Sequence, residues 1–259
     1  MARKVPKTIM DFGNDDKLIQ ESWNDPGRAR DLAKFPIPFR MLIIAGPGAG
    51  KTNLCKNLVA HILPDELYVI HEDADSTAEW DDADPTEILP DAPPLDFWTE
   101  LRDRDLKDGK PKRRLAVIDD LEFTGSKKKD REKNIAILMR YASTHCSLGV
   151  ILCHQSFFDL PPLVKKMSNV FVIFKPRART EMTTIEDRIG LPKGDLADLF
   201  NTIATRPRDS ICADFTVGTP APLRLNIWTP LHTQRYGDLA DASSSTINNR
   251  DDVSDNDGY

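Results

Sequence analysis

A mainly parallel α/β sheet flanked by helices is the fold class this sequence predicts, and three observations predict it. Residues 40–73 pass without interruption through an apolar run, a glycine-rich turn, a helical stretch and a second apolar run, the order of a β-α-β unit. Five short apolar runs alternate with helical segments between residues 40 and 174, and apolar residues at consecutive positions suit strands buried on both faces of a doubly wound sheet. Two of those runs end in polar pairs, Asp119-Asp120 and His154-Gln155.

In chain order, residues 1–36 form a polar N-terminal arm, with a short helix around Asp15–Trp23 and extended backbone favoured by Pro36 and Pro38. The first strand is Arg40–Gly46. TNLCKNLVAHIL follows as a helix with Leu54, Leu58 and Ile62 on one side, stopped by Pro64. ELYVIHED is the second strand. Glu72–Asp96 carries ten acidic side chains, no basic one and several prolines; that composition cannot pack a core alone and predicts a solvated connection or insertion. Basic residues return at Arg102–Arg114. The strand RLAVIDD precedes a polar loop, GSKKKDREKN, and then come a helix at IAILMRYASTH, a strand at SLGVILCH, a short helix at LPPLVKKM and a fifth strand at NVFVIF. Beyond Lys175, TTIEDRIGLP and DLADLFNTIA suggest two short helices, while SICADFTV and LRLNIWT, parted by GTPAP, suggest a C-terminal hairpin. The folded domain is therefore 37–237, with an acidic insertion at about 72–96, and the acidic tail 238–259 is predicted disordered.

The chain has 259 residues, 40% of them hydrophobic and 29% charged, with a formal net charge of -6. That charge excludes a protein coated in basic residues for binding DNA over its whole surface, but not one whose DNA contacts are confined to a few loops. Cys55, Cys146, Cys153 and Cys212 lack metal-ligand spacing and read as small buried thiols in a reducing compartment. No apolar run approaches the ~18 residues that span a bilayer. The N-terminal MARKVPKTIM has no hydrophobic stretch behind its basic residues, so a signal peptide is not expected.

Chemistry concentrates in two motifs. Ala45-Gly46-Pro47-Gly48-Ala49-Gly50-Lys51-Thr52 matches the phosphate-binding loop with alanine in the first glycine's place. Small residues there let successive backbone N–H groups turn around phosphates, Lys51 reaches the outer phosphates, and Thr52 offers its hydroxyl to Mg²⁺. Such a loop needs an acidic partner on another strand, and Leu115-Ala-Val-Ile-Asp-Asp120 supplies it. Asp119 is the residue for the Mg²⁺ shell and Asp120 for polarising the attacking water, with Glu122 in reserve. Gln155, ending a core strand beside the carboxylate strand, is placed to contact the γ-phosphate or that water. His154 reads as a structural histidine, Ser143, Thr144 and His145 as a polar ledge at the site, and Phe157 and Phe158 as packing against the sheet. Together these residues imply ATP and Mg²⁺ as cofactors.

With AGPGAGKT, AVIDD, ILMRYASTHCSLGVILCHQSFFDLPPLVKKM and NVFVIFKPR in place, the chain resembles the FtsK–HerA superfamily of DNA-pumping ATPases. Within it, the chain is most similar to the genome-packaging ATPases of poxvirus-like and polinton-like DNA viruses. The resemblance covers roughly residues 38–190. It implies a P-loop NTPase with a RecA/FtsK-like sheet and a homo-oligomeric ring that translocates double-stranded viral DNA into a preformed capsid. The partners implied are a capsid or portal/membrane protein, and the place an infected host cell or the virion. It also implies an arginine finger acting on the neighbouring subunit, for which Arg140 is the nearest candidate and Arg177 and Arg179 are rivals. Two departures stand out: Ala45, and a second aspartate where relatives commonly have glutamate. Lys127, Lys128 and Lys129, just beyond the hydrolytic strand, are candidate DNA contacts. The competing readings are a P-loop small-molecule or nucleotide kinase, and a nucleotide-gated assembly protein with little turnover.

Overall fold

The computed structural model describes residues 32–73, 79–216 and 218–231. Its elements run β1 (Arg40–Ile44), α1 (Lys51–Ile62), β2 (Glu66–His71), a 3-10 turn at Asp81–Ala83, β3 (Glu87–Leu89), α2 (Leu95–Asp108), β4 (Arg114–Asp119), α3 (Lys128–Ile137), β5 (Leu148–His154), α4 (Pro162–Met167), β6 (Val170–Phe174), α5 (Arg179–Ile189), α6 (Asp195–Thr202), β7 (Ser210–Asp214), β8 (Leu223–Leu225) and β9 (Thr229–Pro230). The strands form one nine-stranded sheet in the order β3-β2-β4-β5-β1-β6-β7-β8-β9. From β3 to β6 the neighbours are parallel, and β7, β8 and β9 are added antiparallel.

The continuous apolar runs are explained by this sheet's two covered faces. Alternation along each strand sends Leu42, Ile44, Ile70, Ile118, Leu152 and Ile173 to one core, and Met41, Ile43, Val69, Val117, Ile151 and Val172 to the other. The first core is closed by Trp98 of α2, Ile135 of α3, Val164 of α4, Ile185 of α5 and Phe200 of α6. The second is closed by Cys55, Leu58 and Ile62 of α1 together with Phe35, Phe39 and Trp80.

Four sequence expectations are corrected here. The acidic stretch 72–96 is more than a solvated connection: it lays β3 on the sheet edge and buries Trp80 and Ala92. Burying such an indole contributes about 3–5 kcal/mol, and Lys56 of α1 pairs with Asp82 at 2.8 Å, so two anchors hold a segment whose charge argues for solvent. Residues 95–108, where no helix is expected, form α2. The expected loop GSKKKDREKN is helical from Lys128 onward, and its helix runs on through a π-helical turn at Leu138–Ala142 to His145. Finally, residues 33–36, assigned to the arm, are buried; the Phe39 ring lies where a Cβ on Gly149 would come within 2.7 Å of it. The expected helix at 15–23 and the tail at 238–259 lie outside the described residues.

Two buried ionic groups fasten the sheet at its flanks. Arg114 donates to Glu66 (2.6 Å) and to Asp105 (2.6 and 2.7 Å), joining β4, β2 and α2. In the antiparallel part, Arg224 of β8 pairs with Asp214 of β7 and donates to the Leu32 carbonyl.

Candidate nucleotide site

β1 lies between β5 and β6, and its C-terminal end opens into the glycine-rich loop. Ala45 N donates to the His154 carbonyl at 3.1 Å, which ties the loop to the end of β5. Gly48 (φ 69) and Gly50 (φ 97) take left-handed backbone, which only glycine adopts without cost. Ala45 is outside that region and is packed in the core, so a methyl group is accepted where the usual loop has its first glycine. Gly50 caps α1, and Lys51 and Thr52 occupy its first turn, where free N–H groups and the helix dipole favour an anion.

Lys51, 7% exposed, reaches Asp120 Oδ2 at 2.5 Å. Thr52 Oγ1 donates to Asp119 Oδ2 at 3.0 Å. Gln155 Nε2 lies 3.5 Å from Asp120 Oδ2. Residues after β1 and at the ends of β4 and β5 thus meet in two neighbouring hydrogen-bonded groups, Lys51–Asp120–Gln155 and Thr52–Asp119. Asp119 is buried, which pushes its carboxyl above the usual range; the Thr52 hydrogen bond opposes this, the Asp120 charge adds to it, and Lys51 opposes it. Asp119 Oδ1 is buried with no partner among the described residues. A hard cation shared by Thr52 and Asp119 fits that orphaned oxygen. No group of three or more His, Cys, Asp or Glu among the described residues makes a metal cage, so such an ion would complete its shell with phosphate oxygens and water.

Other expected residues stand elsewhere. The Glu122 carboxylate is exposed and accepts from Thr124 Oγ1 at 3.1 Å, apart from the Lys51–Asp120 group. Arg140 is exposed on the π-helical turn; next to it, the Met139 carbonyl accepts from Arg40 Nε (2.6 Å) at the start of β1. It therefore lies at the end of the sheet opposite the phosphate loop, roughly 16 Å away along a five-residue strand. Thr144 accepts from Arg40 Nη2 at the same end, Ser143 is buried, and His145 stacks on Tyr141, so these three make no ledge at the site. His154 Nδ1 is held by the backbone of Ser156. Phe157 is buried as expected, whereas Phe158 is 49% exposed. Lys127, Lys128 and Lys129 are exposed at the start of α3. Arg179 begins α5, exposed, and Arg177 lines a cavity beside the loop.

That cavity, about 660 Å³, opens between the phosphate loop (Ala45, Pro47), the end of β6 (Phe174–Arg177) and the turn before β7 (Ala204–Asp209). Arg206 and Arg208 of that turn went unnoticed in the sequence, where an Arg-Pro-Arg-Asp turn ahead of an apolar run carries no motif. Arg131 was also missed: inside the lysine-rich segment, its side chain is 2% exposed and donates to Glu72, Asp91 and the Glu122 carbonyl (2.8 Å). Its bonds brace the loop that follows the two aspartates.

The chain matches no protein-family model and no curated protein sequence. Among solved structures it is similar to B204, the DNA-packaging ATPase of Sulfolobus Turreted Icosahedral Virus: TM-score 0.51, 18% identity, 74% of this chain and 97% of that one. It is similar also to the genome-packaging NTPase B204 of Sulfolobus turreted icosahedral virus 2 in complex with sulfate, with TM-score 0.50, 16% identity and 76% and 98% coverage. At these identities the likeness is one of fold alone: a mixed α/β fold with a central sheet flanked by helices.

Proposed function

We propose that this chain is an ATP-hydrolysing motor that translocates double-stranded DNA, in the manner of a viral genome-packaging ATPase. The observation that carries the reading is the convergence of Lys51, Thr52, Asp119, Asp120 and Gln155 at the ends of β1, β4 and β5. The fold neighbours named as packaging ATPases and NTPases support it. So do the sequence motifs, on which alone the poxvirus-like or polinton-like branch rests; the fold neighbours come from turreted icosahedral viruses.

The chemistry follows from the Lys51–Asp120 pair. Backbone N–H groups of the loop receive the β- and γ-phosphates, and Lys51 leaves Asp120 for their oxygens because two charged phosphates outcompete one carboxylate. That exchange frees Asp120 to orient the attacking water and accept its proton, so hydrolytic readiness is tied to phosphate occupancy. Thr52 and Asp119 would hold Mg²⁺, which would supply charge neutralisation for the phosphates. Gln155, beside Asp120, reports the presence of the γ-phosphate to the loop beyond β5. Lys127, Lys128 and Lys129 contact the DNA backbone, a neighbouring subunit supplies an arginine from Arg140, Arg177 or Arg179, and the ring docks on a capsid or portal protein during virion assembly. No helix among the described residues is long and apolar enough to cross a membrane.

The test is the ATPase rate of the purified chain with and without long double-stranded DNA, beside Lys51→Ala. Stimulation by DNA that Lys51→Ala abolishes is expected. Phosphorylation of a nucleoside or monophosphate acceptor, indifferent to DNA, would move the chain to the kinases; negligible turnover with tight ATP binding would make it a nucleotide-gated assembly protein.

A further inference from the structure

One loop approaches the phosphate loop from outside the parallel sheet. After α6 the chain crosses to β7 through Ile203–Asp209, and in that crossing Arg208 has φ 80, left-handed backbone that a long side chain seldom occupies. The turn is built to hold it there. Arg206 N donates to Asp209 Oδ2 (2.9 Å), Asp209 N donates to the Arg206 carbonyl (3.1 Å), and Asn226 Nδ2 donates to Asp209 Oδ1 (2.8 Å). Asn226 in turn receives Ser210 N at 2.8 Å, so the β7–β8 hairpin fixes the turn.

The result is an arginine laid across the glycine loop: Arg208 Cδ is 3.8 Å from the point a Cβ on Gly50 would occupy. Its guanidinium has no hydrogen bond or ion pair among the described residues, and neither do those of Arg177 and Arg206, which line the same cavity. Three carboxylates line that cavity: Glu181 accepts from Phe157 N at 2.6 Å, Asp209 holds the turn, and Asp159 stands exposed beyond β5. Unpaired cations therefore predominate on the β6 and β7 side of the phosphate loop, while the carboxylates that would act on the γ-phosphate stand on the β4 and β5 side.

We propose that Arg208 binds nucleotide in cis: its planar fork engages the α- and β-phosphate oxygens of a nucleoside di- or triphosphate seated in the loop of the same chain, and the adjoining cavity takes the nucleoside. The inference rests on the nucleotide-binding reading above. The direction of the phosphate chain assigns the α and β positions, since Asp119 and Asp120 mark the γ end and Arg208, which lines the cavity, meets the loop at Gly50. A guanidinium suits two oxygens of neighbouring phosphates, where an ammonium would meet them as a single point.

The experiment is calorimetric titration of the full chain with ADP and with a non-hydrolysable ATP analogue, in wild type, Arg208→Ala, Arg208→Lys and Lys51→Ala, with the melting temperature without nucleotide checking each fold. Arg208→Ala is expected to weaken ADP and the ATP analogue alike, by roughly 10-fold, with partial recovery in Arg208→Lys. ADP affinity unchanged in Arg208→Ala, while Lys51→Ala loses binding, would overturn the role of Arg208 and leave the nucleotide site standing. Unchanged ADP affinity with hydrolysis rescued by mixing in wild-type subunits would also overturn it, making Arg208 a finger on a neighbour. Lys51→Ala binding nucleotide as wild type does would overturn the underlying reading, and the proposal with it.

Discussion

Asp120 takes left-handed backbone (φ 51) as β4 ends. Short polar side chains tolerate that conformation better than longer ones, which gives a local reason for aspartate rather than glutamate at this position. Asp120→Asn is predicted to lower kcat by about 10²-fold or more while nucleotide binding survives, because Lys51 loses only a competitor of phosphate; rapid-quench hydrolysis and ADP titration check both. A rate within twofold of wild type, with the loss appearing instead in Glu122→Gln, would hand the water to Glu122. The buried Arg114 group makes stability depend on pH. Burial would raise the carboxyl of Glu66, but the bonds from Lys112 and Arg114 outweigh it and hold the group below its ordinary value of 4.5; Asp105 is likewise held below 3.8. Groups lowered in the folded state contribute stability that is present above those values and is lost as pH falls through the folded ones. Urea unfolding should therefore show stability declining below about pH 4.5, with a shallower slope in Glu66→Gln. Arg114→Met, which leaves Asp105 without its ion-pair partner while Glu66 keeps Lys112 and Arg104, should cost about 3–5 kcal/mol at neutral pH.

At the scale of elements, α3 carries its lysines in an unfavourable place. Lys127 caps the helix and Lys128 and Lys129 fill its first turn, where the dipole disfavours cations by about 0.3–1 kcal/mol each. Replacing all three by glutamine should raise the melting temperature slightly and at the same time flatten the salt dependence of DNA-stimulated hydrolysis, by about 2–3 in log–log slope. Unaltered DNA stimulation would return them to being a solvated surface. Gly149→Ala tests how the N-terminal segment is seated. A Cβ there meets Phe39 Cε1 at 2.7 Å and Leu115 Cδ1 at 3.3 Å, and denaturant unfolding should register a loss of about 1–3 kcal/mol. These elements also show where the sequence was readable. β1, β2, β4, β5 and β6 announce themselves because strands buried on both faces need unbroken apolar runs. α2 does not: in LDFWTELRDRDLKD only Trp98 and Asp105 are buried, so the helix offers a narrow apolar stripe inside a charged, proline-bounded stretch. β3 is three residues long at the sheet edge, too short for alternation to register. The start of α3 is hidden because its first turns are charged, and their helicity rests on Arg131 being drawn inward by Glu72 and Asp91.

Across the whole molecule, the sheet joins two kinds of architecture around one loop. The parallel half brings the carboxylates and Gln155 to the phosphate loop, and those residues were legible because motif chemistry fixes their spacing to strand ends. The antiparallel half brings Arg206 and Arg208 to the other side of the loop, and these were not legible, because their position depends on where the β7–β8 hairpin packs. The same holds for Arg140: it is the nearest finger candidate before β5 although a few residues early, and the course of α3 carries it to the far end of the sheet, so any catalytic part it plays must be on another subunit. On the proposed function, hydrolysis at this loop moves DNA. Its most direct test is ATP-driven displacement of a triplex-forming strand from linear double-stranded DNA by the purified full chain. Displacement that requires hydrolysable ATP and disappears in Lys51→Ala and in Asp120→Asn is the predicted result; ATP hydrolysis at a rate indifferent to DNA, with the triplex strand left in place, would contradict it.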